Sequence, residues 1–85
     1  MQVSVDISLY PLHQDYIPQI DAFILLLNQE PNVQVVTNAL STQLYGEYET
    51  VMGLLARAMG EHIAIHDDSV FSIKVLNGDR SGQNG

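Results

Sequence analysis

The spacing of apolar residues along the chain switches between a period of two and a helical period, and this order restricts the fold. Alternation over residues 3–10 predicts a half-buried strand that ends at Pro11. Apolar residues at helical spacing over 17–27 predict a first helix, with Asp15 as its N-cap. The β-branched segment 32–38 predicts a second strand. The first half of the chain is therefore predicted to fold as strand, helix, strand.

The second half is predicted to contain the same three elements. Residues 41–45 predict a third strand that Gly46 breaks, and apolar spacing over 51–59 predicts a second helix that ends at Gly60. Alternation over 71–75 predicts the fourth strand. The order βαββαβ is that of the ferredoxin-like split βαβ fold. We therefore predict an α+β sandwich, a four-stranded antiparallel sheet in the order 4-1-3-2 with both helices on one face.

Length and charge limit the number of domains and the kinds of partner. The 85 residues suffice for one domain, predicted over 1–78, and residues 79–85 lack apolar anchors and are predicted to form a disordered tail. Ten acidic residues against three basic ones give a net charge of −7, which argues against nucleic acid and anionic membranes as partners. The absence of cysteine excludes disulfides and thiolate metal sites.

The sequence also predicts where the protein acts. No apolar run reaches the roughly 20 residues needed to span a bilayer, and the N-terminus lacks the basic region of a signal peptide. We therefore predict a cytoplasmic protein without a membrane partner.

The sheet face opposite the helices is predicted to carry few charges. Strands one, three and four present mainly serine, glutamine, tyrosine and small apolar residues there, and Asp6 and Lys74 are its only charged residues. A face that stays in contact with water usually carries many more charges. This composition indicates a surface covered by another subunit or by a ligand.

A candidate binding site follows from the predicted topology. The end of strand one lies near the starts of strands three and four, so Ser8, Tyr10, Ser41 and Ser72 are expected to converge at one end of the sheet. Asn38, at the end of strand two, is expected to lie close to Ser41. The alternative, in which these side chains line only a dimer contact or face water, stays open.

A cluster of ionisable residues after the second helix is a further candidate site. His62, His66, Asp67 and Asp68 could share a divalent metal if they lay on one helix, but a helix end at Gly60 favours a loop in contact with water. We therefore predict neither a metal nor a cofactor.

Asp6 and His13 are the other ionisable residues near the candidate site. Asp6 is expected to pair with Lys74 or, alternatively, with a cationic ligand, and His13 either contacts a ligand or faces water.

Three segments resemble the YkoF-like thiamine/hydroxymethylpyrimidine-binding family. They are SLYPL followed by DYIPQIDAFI (8–24), STQLYGEYETVM (41–52) and SVFSIKV (69–75). The resemblance covers nearly all of residues 3–80 in the right order. It implies a ferredoxin-like domain that pairs through its sheet, as a homodimer or homotetramer. It also implies that thiamine, its hydroxymethylpyrimidine moiety or a related precursor is bound without being converted.

The resemblance assigns ligand-binding roles to Ser8 and Tyr10 of the SLYPL motif, and to Ser41 and Thr42 of the ST pair. Many family members have Met-Gly-Thr and then Glu-Gly in strand three, where this chain has Leu-Ser-Thr and then Tyr-Gly (40–46). The resemblance therefore leaves open which thiamine-related compound is bound.

The main hypothesis is a binding protein, without enzymatic activity, that acts in vitamin B1 handling as a carrier or sensor. Serine, threonine and asparagine can read the polar edge of an aminopyrimidine, and tyrosine can stack on its ring. Two alternatives stay open. One is an enzyme or regulator of small ligands with His13 or Asp6 as an acid–base group, and the other is a structural oligomer whose neutral sheet face is only an interface.

Overall fold

Four strands and two α-helices follow one another in the predicted order. The computed structural model describes residues 1–12, 16–66 and 68–83. The elements are β1 (Gln2–Pro11), α1 (Tyr16–Leu27), β2 (Gln34–Thr37), β3 (Thr42–Glu47), α2 (Tyr48–Ile65) and β4 (Ser69–Asn77), followed by a short 3₁₀ helix, Ser81–Gln83. The α+β ferredoxin-like fold predicted from the sequence is confirmed. Asp15, the predicted N-cap of α1, lies outside the described residues.

The sheet is antiparallel throughout, with β1 and β3 in its centre. Its strand order is β2-β3-β1-β4, which is the predicted order 4-1-3-2. Val5 of β1 lies opposite Leu44 of β3 and Val75 of β4, so these three residues share the face on which the helices pack. Among the described residues, no helix is both long enough and apolar enough to cross a membrane.

The core lies between this face of the sheet and the two helices. Alternate residues of β1 point into it, because successive side chains of a strand point to opposite faces. Each fully buried aliphatic side chain contributes about 1.5–3 kcal/mol relative to an exposed one. The largest of them come from β1, β3 and both helices: Val5, Ile7, Leu27, Leu44, Val51 and Leu55.

The edge strand β4 is only partly covered by the helices. Phe71 packs against Phe23 of α1, with ring centroids 5.3 Å apart, and against His62 of α2 at 5.6 Å. Ile73 and Val75 lie on the same face but are exposed. The helices therefore leave Ile73 and Val75 uncovered, because they pack over the central strands.

Gly46 lies inside β3, so the prediction that it breaks this strand is wrong. It pairs with Val3, and the strand continues to Glu47. A Cβ at Gly46 would lie 3.2 Å from Cγ2 of Val51 and 3.3 Å from the carbonyl oxygen of Asn32. Glycine is therefore needed because the first turn of α2 approaches the strand closely.

Helix α2 begins at a carboxylate cap and continues past Gly60, so the predicted helix end there is also wrong. Oε2 of Glu47 accepts hydrogen bonds from the backbone N–H groups of Glu49 (2.8 Å) and Thr50 (3.3 Å). Gly60 is exposed within the helix, where glycine costs about 1 kcal/mol relative to alanine. The helix ends only at Ile65, and the N–H of His66 donates to the carbonyl oxygen of His62.

The segment after β4 lies against the open face of the sheet, the face opposite the helices. The Ser4 hydroxyl donates to the carbonyl oxygen of Gly78 (2.8 Å) and accepts from the backbone N–H of Arg80 (2.7 Å). Ser4 and Tyr45 are both buried. Part of the open face is therefore covered by the chain itself. Disorder of residues 79–85 in solution stays a prediction.

Candidate functional site

A small cavity lies at the end of the sheet where β1 extends beyond β3. β3 begins at Thr42, opposite Ile7, whereas β1 continues to Pro11. The cavity has a volume of about 140 Å³. The end of β1, the middle of α1 and the β2–β3 connection line it: Ile7, Ser8, Leu9, Tyr10, Ile20, Phe23, Ile24 and residues 37–42.

Five of the six predicted ligand-binding residues line this one cavity. They are Ser8, Tyr10, Asn38, Ser41 and Thr42. Ser72, the sixth, does not line it and lies on the open face, directly opposite Ser8 in the pairing of β1 with β4. The topology therefore brings the end of β1 to the β2–β3 connection as expected. The cavity lies at the end of the sheet, with α1 as one wall, instead of on the open face.

The neighbouring residues Ser41 and Thr42 reach the cavity from opposite faces of the sheet. Thr42 pairs with the core residue Ile7, is buried on the helix side, and has its hydroxyl 3.1 Å from that of Thr37. Ser41 lies on the open face, where it contacts Asp6. The strand period of two explains this separation, which the ST motif alone did not reveal.

Asn38 shapes the rim of the cavity. Its Oδ1 accepts hydrogen bonds from the N–H groups of Leu40 (3.0 Å) and Ser41 (3.1 Å), an arrangement typical of Asx turns. Its Nδ2 donates to Oε1 of Gln43 at 3.0 Å. Both polar atoms of the side chain therefore hold the β2–β3 connection in place, so Asn38 is a positioning residue in this structure.

A hydrogen-bond network joins that connection to the centre of β1. The Ser41 hydroxyl donates to Oδ1 of Asp6 at 2.6 Å, and Nε2 of Gln43 donates to the same oxygen at 2.8 Å. Burial raises the pKa of Asp6, but these two hydrogen bonds and the charge of Lys74 outweigh it and leave the pKa below its ordinary value. Asp6 is therefore held as a carboxylate beside the cavity.

The structure adds Gln43 to this network, and it changes the role that the sequence predicts for Lys74. Gln43 was not assigned to the site, although its position two residues after Ser41 places it on the same face of the strand. Lys74 lies opposite Asp6 in the strand pairing, as expected for an ion pair. Among the described residues, however, the one salt bridge joins the Met1 amino group to Glu47 at 3.8 Å. Asp6 is thus held by hydrogen bonds.

Ser8 and Tyr10 line the cavity and carry hydroxyl groups that could hydrogen-bond to a ligand. Neither hydroxyl forms a hydrogen bond within the part of the chain that the structure describes, and Tyr10 is more than half exposed. Apolar side chains of β1 and α1 form much of the remaining wall, among them Ile7, Phe23 and Ile24. An apolar wall with a few polar groups at one edge suits a small flat ring that carries hydrogen-bonding atoms on one side.

The histidine cluster lies at the C-terminal end of α2, and the predicted loop in contact with water is wrong for His62, which lies in the helix, whereas Asp68 is exposed beyond it. His62 is buried in the last turn of the helix, with Nε2 2.9 Å from the Ser69 hydroxyl and its ring 4.7 Å from that of His66. Burial, and secondarily the charge of His66, lowers the pKa of His62. No three His, Asp or Glu residues within 1–12, 16–66 and 68–83 are grouped to hold a metal. Asp67 and His13 lie outside the described residues.

Solved structures of other proteins are similar to this fold. In protein SP2199 of Streptococcus pneumoniae, the similarity covers 93% of this chain and 89% of that chain, with 27% identity and a TM-score of 0.84. A Thermotoga maritima protein, whose name proposes a role in thiamine biosynthesis or salvage, matches with 18% identity, a TM-score of 0.81 and coverage of 92% and 85%. Hypothetical protein MJ1052 of Methanocaldococcus jannascii matches with 21% identity, a TM-score of 0.79 and coverage of 92% and 81%.

No curated protein matches the chain. The model of the YkoF-related family matches residues 2–74, most of its length. The chain therefore belongs to the YkoF-related family.

Proposed function

We propose that this protein binds thiamine or its hydroxymethylpyrimidine moiety without converting it, and acts in the cytoplasm as a carrier or sensor in vitamin B1 handling. The observation that carries the proposal is the cavity at the end of β1, which gathers Ser8, Tyr10, Asn38, Ser41 and Thr42. Membership of the YkoF-related family supports a small-molecule ligand. The name of the Thermotoga neighbour points in the same direction.

The size of the cavity favours the pyrimidine part of thiamine as the buried group. The cavity has about 140 Å³, and an engineered apolar cavity of about 150 Å³ in another protein holds one benzene ring. Sites for larger, drug-sized molecules measure about 300–1,000 Å³. One six-membered ring therefore fits, and the thiazolium ring of thiamine would lie outside the cavity.

The polar groups of the site suit the two parts of thiamine differently. Hydroxyls of Ser8, Ser41 and Thr42 can hydrogen-bond to the ring nitrogens and amino group of the pyrimidine, while Tyr10 can stack on the ring. The cationic thiazolium outside would lie in the field of a chain of net charge −7, with the Asp6 carboxylate bonded to Ser41. Hydroxymethylpyrimidine alone should therefore retain much of the affinity.

Calorimetric titration of hydroxymethylpyrimidine, thiamine and the free thiazolium into wild type, Ser8→Ala and Ser72→Ala tests the proposal. Ser72 is the matched control, because it lies opposite Ser8 on the same face but outside the cavity. We expect micromolar binding of the first two compounds. Ser8→Ala should weaken it about fivefold, the value of one hydrogen bond of about 1 kcal/mol, and Ser72→Ala should not.

Three outcomes would contradict this assignment. An absence of binding heat with every compound would exclude the function, and an equal loss in both serine variants would exclude the cavity as the site. Recovery of a chemically altered ligand after incubation would favour the enzyme alternative.

We also propose that the chain self-associates through its sheet, as a homodimer or homotetramer. The low charge of the open face and the exposed apolar residues of β4 support this proposal. An oligomer that binds none of the three compounds would instead favour a purely structural role, in which the sheet is only an interface.

A further inference from the structure

The last turn of α2 places two imidazole rings side by side. His62 and His66 are four residues apart, a spacing that puts two side chains on the same face of a helix. The helix runs to Ile65, and the N–H of His66 donates to the carbonyl oxygen of His62 at 2.9 Å, so the helical spacing extends to His66. The two ring centroids lie 4.7 Å apart. Because the helix does not end at Gly60, the two histidines are close enough to share a metal ion.

His62 is held in one orientation by its neighbours. Its ring packs against Phe23 of α1, with centroids 5.8 Å apart, and against Phe71 of β4 at 5.6 Å. Its Nε2 lies 2.9 Å from the Ser69 hydroxyl. A histidine that binds a metal through one ring nitrogen usually hydrogen-bonds through the other, which fixes its tautomer and its orientation. With Nε2 bonded to Ser69, Nδ1 is the nitrogen of His62 that would bind an ion.

A groove of about 380 Å³ gives an ion access to both histidines. Residues of α1 and α2 line it, and Glu61 is the charged residue beside the histidines. The rest of the lining is apolar: Ala22, Phe23, Leu26, Ala64 and Ile65. The groove shares only Phe23 with the cavity at the end of β1, so the two are different sites.

We propose that His62 and His66 bind one divalent transition-metal ion in this groove, of the class represented by Zn²⁺. Imidazole nitrogen suits Zn²⁺, Cu²⁺ and Ni²⁺, whereas Mg²⁺ and Ca²⁺ prefer oxygen ligands. With Zn–N bonds of about 2.0–2.1 Å, two imidazoles on one tetrahedral ion have ring centroids about 5 Å apart, close to the 4.7 Å of this pair. The metal site goes beyond the proposed thiamine function and does not depend on it.

Two histidine ligands leave part of the coordination shell of the ion to water. Zn²⁺ takes four ligands, and structural zinc sites fill all four with protein side chains. Within the described residues no third His, Asp or Glu is grouped with this pair, so water would fill the remaining positions. The Glu61 carboxylate in the groove and the net charge of −7 offset part of the charge of the ion. The ion would therefore be exchangeable, and the fold would not depend on it.

Calorimetric titration of Zn²⁺ into the untagged protein, freed of metal by a chelator, tests the proposal. Excess Mg²⁺ in the buffer occupies sites made of carboxylates alone. We expect one Zn²⁺ per chain, and His66→Gln should abolish this binding because it removes one of the two ligands. The matched control is His13→Gln, which removes the third histidine of the chain and should bind as wild type does. Ser69→Ala should weaken binding about tenfold, a usual effect of losing the partner that orients a metal-bound histidine.

NMR of the imidazole nitrogens in wild type needs no substitution, so it protects the test against a folding defect in a variant. Zn²⁺ should shift the signals of His62 and His66 and leave those of His13 in place. Equal binding by His66→Gln and wild type would overturn the site, and so would shifts confined to His13. Unchanged binding by Ser69→Ala would overturn the orienting role of Ser69. A wild type that binds no Zn²⁺ in the presence of Mg²⁺ would overturn the whole proposal.

Discussion

The Ser41 hydroxyl lies 2.6 Å from Oδ1 of Asp6, a hydrogen bond between residues 35 positions apart in the sequence. It ties the β2–β3 connection, which forms the rim of the cavity, to the central strand β1. Gln43 donates to the same carboxylate oxygen. The Asp6 carboxylate of β1 therefore holds the rim of the candidate site in place through these two hydrogen bonds.

Removal of the Ser41 hydroxyl should weaken this tie and raise the pKa of Asp6. The pKa of Asp6 is lowered in the fold, so its contribution to stability is present above the unfolded pKa of about 3.9 and is lost as pH falls through the folded pKa. Ser41→Ala should cost about 1 kcal/mol of unfolding free energy near neutral pH, and less as Asp6 becomes protonated.

An NMR titration of the Asp6 carboxyl carbon measures this pKa in wild type, Ser41→Ala and Ser8→Ala. Ser8 is the control, because it is two residues from Asp6 on the same face and its hydroxyl is not one of the side-chain groups that hydrogen-bond to Asp6. An unchanged pKa in Ser41→Ala would contradict the role given to this hydrogen bond.

Gly46, which lies beside α2, and Gly60, which lies within it, should respond oppositely to alanine. Gly60→Ala is expected to stabilise the protein by about 0.5–1 kcal/mol, because the glycine is exposed within the helix and a Cβ there would meet nothing within 4 Å. Gly46→Ala is expected to destabilise it by about 1–3 kcal/mol, because its Cβ would press against Val51 and the Asn32 carbonyl. Urea denaturation measures both, and effects of the same sign would contradict the account of one of them.

Stability should also fall as pH decreases from about 6.5, because His62 is buried in its neutral form. Its pKa is lowered in the fold, so the unfolded chain binds more protons between the folded pKa and the unfolded pKa of about 6.5. The loss begins as pH falls below 6.5 and levels off below the folded pKa.

Urea denaturation at pH 7.5 and 5.5 tests this dependence. His62→Gln should remove most of the difference between the two pH values, whereas the control His66→Gln should keep most of it. An equal pH dependence in His62→Gln and wild type would assign the effect to another group.

The sequence by itself determined the order of the elements, the strand topology and the family. Alternation over residues 3–10 and the helical spacing over 51–59 are local patterns, and the handedness and connection rules leave few ways to assemble them. The same topology brought Ser8, Tyr10 and Ser41 to one end of the sheet, where the cavity lies.

The tertiary structure alone decided the roles of Gly46, Asp6 and His62, because these roles depend on atoms distant in the sequence. Gly46 is required by the approach of Val51, Asp6 is held by Ser41 and Gln43, and His62 is buried through Ser69 and Phe71. Spacing along a strand or helix identifies the face on which a residue lies. It does not identify the atoms that pack against that face, and those atoms determine burial, hydrogen bonding and pKa.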